Sequence, residues 1–142
     1  MISRRLIVFL SLVTAIGVFA YWTLVFTGLF PVADRVPGYQ HWFMSFPLAD
    51  AWIGSCALLT VIMAWRHRPQ ITLFGLLTGS GLIFLGLYAL AYGINTRLLF
   101  TLTTDEIIEI GIKIYCLSVG SILIIGSWCL RPAETKMEQV HG

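Results

Sequence analysis

The sequence predicts an all-α, polytopic membrane protein: a single bundle of four transmembrane helices with both termini in the cytoplasm. The 142-residue chain is 58% hydrophobic and only 11% charged, whereas soluble domains are about 45–50% apolar and about 25% charged. Its apolar residues gather into four runs of the length that spans a hydrocarbon core of about 30 Å. Most of its cations fall in three segments that such a bundle places on one side of the membrane.

The four predicted helices nearly exhaust the chain, so residues 1–142 form one domain without a soluble part. The first apolar run continues to Phe30 without a clear small-residue cleavage motif. We therefore expect a retained helix rather than a cleaved signal peptide. The predicted helices span residues 6–30, 46–65, 71–94 and 105–130.

The second helix follows the longest connection, residues 31–47, which contains three prolines and an aromatic-rich run. Proline stops a helix but is tolerated in the first turn, so Pro47 marks the start of the second helix. Trp and Tyr favour the level of the lipid headgroups. We expect this connection to lie along the outer interface or to cap the bundle.

The third helix carries four glycines near one face, at Gly75, Gly79, Gly86 and Gly93. Small residues on a transmembrane helix let a neighbouring backbone approach closely. The pattern predicts a packing face. Another helix of this chain is the favoured neighbour, and a second copy or a partner helix is the alternative.

The fourth helix begins with acidic residues and keeps two charges deeper in its apolar run. Asp105 and Glu106 are interpreted as first-turn charges that complement the helix dipole after a capping threonine. Glu109 and Lys113 have the favourable i,i+4 order for a salt bridge along the helix. They predict either a self-neutralised structural pair or part of a polar site.

The distribution of cations predicts the orientation of the bundle. The opposite side of the membrane receives only Arg35 and Arg97. The positive-inside rule then places both termini in the cytoplasm. The cations on the predicted cytoplasmic side are Arg4, Arg5, Arg66, Arg68, Arg131 and Lys136.

The outer half of this bundle collects the polar side chains, and the inner half has few. Ionisable groups within a membrane span usually face a cavity or one another, which predicts a ligand site near the outer leaflet. The predicted ligand-binding residues are Asp50, Trp52, Tyr88, Tyr92, Asn95, Glu109 and Lys113.

Asp50 has two interpretations. It lies in the first turn after Pro47, where a carboxylate complements the helix dipole. With Lys113 or Arg97 as a partner across the bundle, it could instead carry a proton or hold a cationic ligand.

No motif predicts a metal, a cofactor or nucleic acid as a partner. The net charge of +2 is too small to suggest nucleic acid, and the sequence has no paired metal-ligand motif. Cys56, Cys116 and Cys129 form no Cys-x-x-Cys pair and are expected to fill helix contacts as small apolar residues.

Residues 42–50, with the sequence WFMSFPLAD, resemble the emopamil-binding and sigma-2 receptor (EXPERA) family of small membrane proteins. The resemblance implies a lipid-accessible cavity in which two carboxylates contact the amine of a sterol-like or amphipathic cationic ligand, with Asp50 as one acid. The chain departs from the family at the second acid, because Thr27 stands where an acid is expected and Glu109 lies on a different helix. This departure argues against isomerase chemistry, which needs an acid and a base on opposite sides of one ligand.

Three functions follow from these patterns. The first is binding, with or without conversion, of a lipid, isoprenoid or other hydrophobic molecule. The second is an accessory or assembly subunit whose glycine face docks a partner helix. The third and weakest is proton or cation transport through an oligomer. Either a bacterial inner membrane or a eukaryotic endomembrane would suit such a chain.

Overall fold

The computed structural model describes residues 2–32, 36–101 and 104–138, except for the side chains of residues 104–105 and 131–138. The described residues contain no strand, which confirms the all-α prediction. A short 3₁₀ turn, Leu98–Phe100, precedes the last helix. The five helices are α1 (Arg4–Phe26), α2 (Tyr39–Phe43), α3 (Pro47–Trp65), α4 (Ile71–Asn95) and α5 (Thr104–Glu138).

Four segments are long and apolar enough to cross a membrane: α1, the stretch Tyr39–Trp65, α4 and the stretch Glu106–Leu130 of α5. Large apolar side chains are exposed along these helices, including Phe9, Phe84 and Ile114. A soluble monomer rarely exposes so much contiguous apolar surface. The prediction of four apolar helices is confirmed, and the exposed surface suits contact with lipid.

Two predicted boundaries are wrong. Helix α1 ends at Phe26 rather than at Phe30, because Gly28 adopts a left-handed conformation with φ 75° and donates its N–H to the Val25 carbonyl. Glycine at this position ends a helix without steric cost. Helix α5 continues to Glu138 instead of ending at residue 130.

The long helices form a ring in which α1 and α4 each contact both α3 and α5. Neighbours in this ring run antiparallel. One end of the bundle, the α3–α4 end, holds the start of α1 and the turn between α3 and α4. There the Arg4 guanidinium donates to the Ala64 carbonyl at 2.8 Å. The opposite end, the α1–α2 end, holds the other two connections.

The glycine face of α4 packs against α5 of the same chain. A Cβ added at Gly79 would lie 2.8 Å from the Gly120 carbonyl oxygen. Gly75 faces Ser127, and Gly86 faces Leu117. The two backbones approach so closely that only glycine fits at the crossing. The face is therefore covered within the chain.

Helix α2 caps the α1–α2 end of the bundle. Its buried residues Tyr39 and Phe43 pack with Trp22, Val25 and Leu98. The prediction that the long connection caps the bundle is thus confirmed for its described part. Its Asp34 and Arg35, and the capping threonine expected before α5, lie outside the described residues or side chains.

Candidate functional site

Two adjoining cavities lie between the helices in the half of the bundle nearer the α1–α2 end. The smaller one, the aromatic cavity, has a volume of about 80 Å³. The larger one, the central cavity, has a volume of about 300 Å³ and is lined mainly by α1 and α5. Four residues line both cavities, so the two spaces meet: Tyr21, Asp50, Leu85 and Ile112.

The aromatic cavity combines aromatic walls with three ionisable groups. Asp50, Glu109 and Lys113 line it together with side chains of α4 and α5. The aromatic side chains come from α1, from α2 and from the start of α3, and they are Tyr21, Trp22, Tyr39, Trp42, Phe43 and Phe46.

Asp50 lies where the two cavities meet, and only 8% of it is exposed. Its Oδ2 accepts a hydrogen bond from Trp22 Nε1 at 2.8 Å. Its Oδ1 is buried and has no hydrogen-bond partner among the described residues. The predicted partnership with Lys113 or Arg97 is wrong, because Lys113 is engaged on α5 and Arg97 is exposed.

Trp42 brings a second unsatisfied polar atom to the aromatic cavity. Its indole ring stacks on Tyr92 with centroids 3.8 Å apart and planes 10° from parallel. Its Nε1 is buried and has no acceptor within the described part of the chain. A buried polar group left without a partner costs about 1–3 kcal/mol. Two buried polar atoms of residues that line the aromatic cavity, the acceptor Asp50 Oδ1 and the donor Trp42 Nε1, therefore lack a partner among the described residues.

Lys113 holds a buried ion network beside the aromatic cavity. Its Nζ donates to Glu106 Oε1 at 3.0 Å and to Glu109 Oε2 at 3.3 Å. The Tyr39 hydroxyl donates to the other oxygen of Glu109, which joins the network to α2. Gly93 lies beside the ammonium, and a Cβ there would be in ordinary van der Waals contact with Nζ at 3.4 Å.

Glu106 lies in the first turn of α5, as interpreted from the sequence, but its side chain is buried and paired with Lys113. Only 1% of Glu106 and 5% of Lys113 is exposed. Positions 106, 109 and 113 are three and four residues apart, so they share one helix face. That spacing is the sequence signal that could have placed Glu106 with Lys113. The side chain of Asp105 lies outside the description.

The structure brings some of the predicted site residues together and separates others. Tyr92 stacks on Trp42, while Tyr88 is half-exposed and stacks on Phe84 at the edge of this group. Trp52 is 62% exposed and Asn95 is also exposed. Neither of them, nor Tyr88 or Tyr92, is among the described residues that line the two cavities. The ligand-binding role of all seven residues stays a prediction.

Sequence reasoning missed the aromatic walls, especially Tyr21, Trp22 and Trp42. Tyr21 and Trp22 are neighbours in α1, whereas the other four wall residues have the i, i+3, i+4, i+7 spacing of one helix face. That spacing is the sequence signal that could have placed Trp42 with Tyr39, Phe43 and Phe46.

The central cavity is mostly apolar. Its polar pair is satisfied internally: the Thr14 hydroxyl donates to the Leu10 carbonyl, and the Tyr115 hydroxyl lies 2.9 Å from Thr14 Oγ1. Gly17 forms part of the wall, and a Cβ there would meet no atom within 4 Å. The space beside Gly17 is therefore open to a ligand's apolar body.

Comparisons of the chain with known protein families, with curated proteins and with solved structures found no match. The interpretation of the site accordingly depends on its own geometry.

Proposed function

We propose that this chain is a multi-pass integral membrane protein, with both termini in the cytoplasm, that binds a hydrophobic or amphipathic small molecule in the two adjoining cavities. The observation that carries the proposal is the unpartnered Oδ1 of Asp50, which is buried where the cavities meet. A carboxylate oxygen in such a place is stabilised when a ligand supplies a hydrogen-bond donor.

The chemistry of the aromatic cavity favours a hydroxyl as the polar head of the ligand. A hydroxyl donates one hydrogen bond and accepts others, so its chemistry matches both the acceptor Asp50 Oδ1 and the donor Trp42 Nε1. An ammonium has three donors and no acceptor, so it would leave the Trp42 N–H unsatisfied. The resemblance of residues 42–50 to the EXPERA family implies a cationic head instead. Competition between an alcohol and an amine of the same chain length distinguishes the two kinds of ligand head.

The central cavity suits the apolar part of the molecule. Its volume of about 300 Å³ lies at the lower end of the range for small-molecule pockets, about 300–1,000 Å³. Binding is favoured over conversion because Glu109 and Lys113 already satisfy each other beside Asp50. An acid and a base placed on opposite sides of one ligand would be needed for double-bond migration.

Cavity filling tests the proposal. Gly17→Leu adds a side chain at the wall of the central cavity, at an exposed position where a Cβ meets nothing, so the variant should fold and lose the bound molecule. Gly111→Leu is the matched control, because a Cβ at Gly111 also meets nothing and Gly111 lines neither cavity. Native mass spectrometry of protein extracted from its own membrane should show a retained small molecule in the wild type and in Gly111→Leu only.

Asp50→Asn tests the polar head in the same experiment. The amide oxygen can still accept from Trp22, while the charged acceptor is lost. Since a hydrogen bond to a charged group contributes about 1.5–3 kcal/mol, retention should fall about tenfold or more. In the wild type, a long-chain alcohol should displace the retained molecule better than the amine of the same chain length does. Equal retention in the wild type, Gly17→Leu and Asp50→Asn would refute the proposal.

A further inference from the structure

The turn between α3 and α4 is closed by backbone hydrogen bonds at the C-terminus of α3. His67 adopts a left-handed conformation with φ 52°. The His67 N–H donates to the Ala64 carbonyl at 3.2 Å, and the Arg68 N–H donates to the Met63 carbonyl at 2.9 Å. This is the Schellman arrangement of a helix end. It places Arg66 and Arg68 on either side of His67 in a tight turn.

These two arginines line a surface pocket of about 290 Å³ together with Gln70. Met63 from α3 and Phe74 from α4 complete its lining. The pocket therefore combines two guanidinium groups and an amide with two apolar side chains. It lies on the opposite end of the bundle from the two cavities described above.

Both guanidinium groups are available to a ligand. Neither Arg66 nor Arg68 has a salt bridge or side-chain hydrogen bond among the described residues. The buried carboxylates, Asp50 and the two acids of the Lys113 network, belong to the α1–α2 end. A third cation lies close by, because the Arg4 guanidinium is held on the Ala64 carbonyl. Among the described side chains, the α3–α4 end thus carries positive charge without a neighbouring carboxylate.

We propose that the pocket at the α3–α4 turn binds the headgroup of an anionic phospholipid. A guanidinium donates two parallel hydrogen bonds to a phosphate group, and Met63 and Phe74 provide contact for the adjoining glycerol and acyl chains. Trp65, which precedes Arg66 and is 86% exposed, has the amphipathic ring typical of the membrane interface. Free phosphate would leave the apolar side of the pocket unused, so the lipid is the better fit.

Native mass spectrometry of the full chain tests this proposal. The protein is exchanged into detergent with equal amounts of phosphatidylglycerol and phosphatidylcholine that carry identical acyl chains. The wild type should retain phosphatidylglycerol preferentially. Arg66→Gln and Arg68→Gln should each lower that preference about fivefold, because one arginine near an anionic surface contributes about 1 kcal/mol of binding free energy. Arg97→Gln is the control, because Arg97 is an exposed cation at the other end.

Two further arms make the outcome decisive. The double variant Arg66→Lys/Arg68→Lys keeps both charges but not the bidentate geometry, so it should retain an intermediate preference. Excess inorganic phosphate, compared with chloride at equal ionic strength, should not displace the lipid. The proposal is overturned if Arg66→Gln and Arg68→Gln both keep the wild-type preference for phosphatidylglycerol, or if Arg97→Gln loses that preference equally. It is also overturned if inorganic phosphate displaces the lipid.

Discussion

Lys113 is tolerated inside the bundle because two carboxylates surround its ammonium. A lysine near the centre of a bilayer costs about 2.5–3.5 kcal/mol on insertion scales. Glu106 and Glu109 offset that cost through charge-assisted hydrogen bonds. Loss of Lys113 would leave two carboxylates without a counter-charge, whereas loss of one glutamate leaves Lys113 paired with the other.

Glu106→Gln should therefore destabilise the protein by about 1.5–3 kcal/mol, the usual contribution of a hydrogen bond to a charged group. Glu109→Gln should cost less, because the side chain of Glu109 is partly exposed and water can solvate the remaining partner. Unfolding of the purified protein in detergent micelles measures both values. A larger effect of Glu109→Gln than of Glu106→Gln would contradict the importance of the buried pair.

Asp50 has the helix-end position of its first interpretation, and its second interpretation, a role in binding, stays a prediction. It lies in the first turn of α3, where its charge complements the helix dipole. It also leaves one oxygen unpartnered where the two cavities meet. Helix-end placement explains why a carboxylate is tolerated there, and the open oxygen is what a ligand would use.

Among the elements, α4 and α5 form the closest pair. A Cβ at Gly120 would lie 2.9 Å from the Gly79 carbonyl oxygen, and the reciprocal distance at Gly79 is 2.8 Å. Such backbone contact permits van der Waals packing and weak Cα–H···O hydrogen bonds, which associate helices where lipid removes the hydrophobic effect. A partner helix could use this face only by displacing α5.

Gly79→Ala should destabilise the monomer by about 1–3 kcal/mol, because its Cβ would overlap backbone that cannot move aside. Gly111→Ala is the matched control in α5. Its Cβ meets nothing, so higher helix propensity should stabilise the protein by up to about 1 kcal/mol. Unfolding in detergent measures both changes. The accessory-subunit hypothesis expects the opposite pattern, with Gly79→Ala leaving the monomer stable and abolishing a dimer or a co-purifying partner.

For the whole molecule, the antiparallel ring separates a cationic end from an end with buried acids. If all four apolar segments cross the membrane, Ser3 and Gln70 lie on one side and Thr101 lies on the other. The positive-inside rule puts the side with Arg66 and Arg68 in the cytoplasm.

Single cysteines introduced at the exposed positions Ser3, Gln70 and Thr101 test this topology. The background is Cys129→Ser, because Cys56 and Cys116 are buried whereas Cys129 is exposed. In intact cells, a membrane-impermeant thiol reagent should label Thr101→Cys, while Ser3→Cys and Gln70→Cys should react only after lysis. Labelling of Ser3→Cys in intact cells would contradict the proposed orientation.

Local patterns were enough to predict the four apolar helices and the packing role of the α4 glycines, and they gave capping of the bundle as one of two placements for the connection that contains α2. Each of these features depends on properties that neighbouring residues carry along the chain: apolar run length, glycine spacing, and proline with aromatic composition. Helix ends were less predictable, because the end of α1 depends on the left-handed conformation of a single glycine.

The candidate site was predictable in part, through the ionisable residues Asp50, Glu109 and Lys113. Which atoms they face was not, because partners from different helices meet only after the bundle is assembled. Trp22 satisfies one oxygen of Asp50 from 28 residues away, and Tyr39 reaches Glu109 from 70 residues away. The charged residues of a strongly apolar chain can be identified in its sequence. The cavities beside them depend on how the four long helices pack against one another, which only the tertiary structure shows.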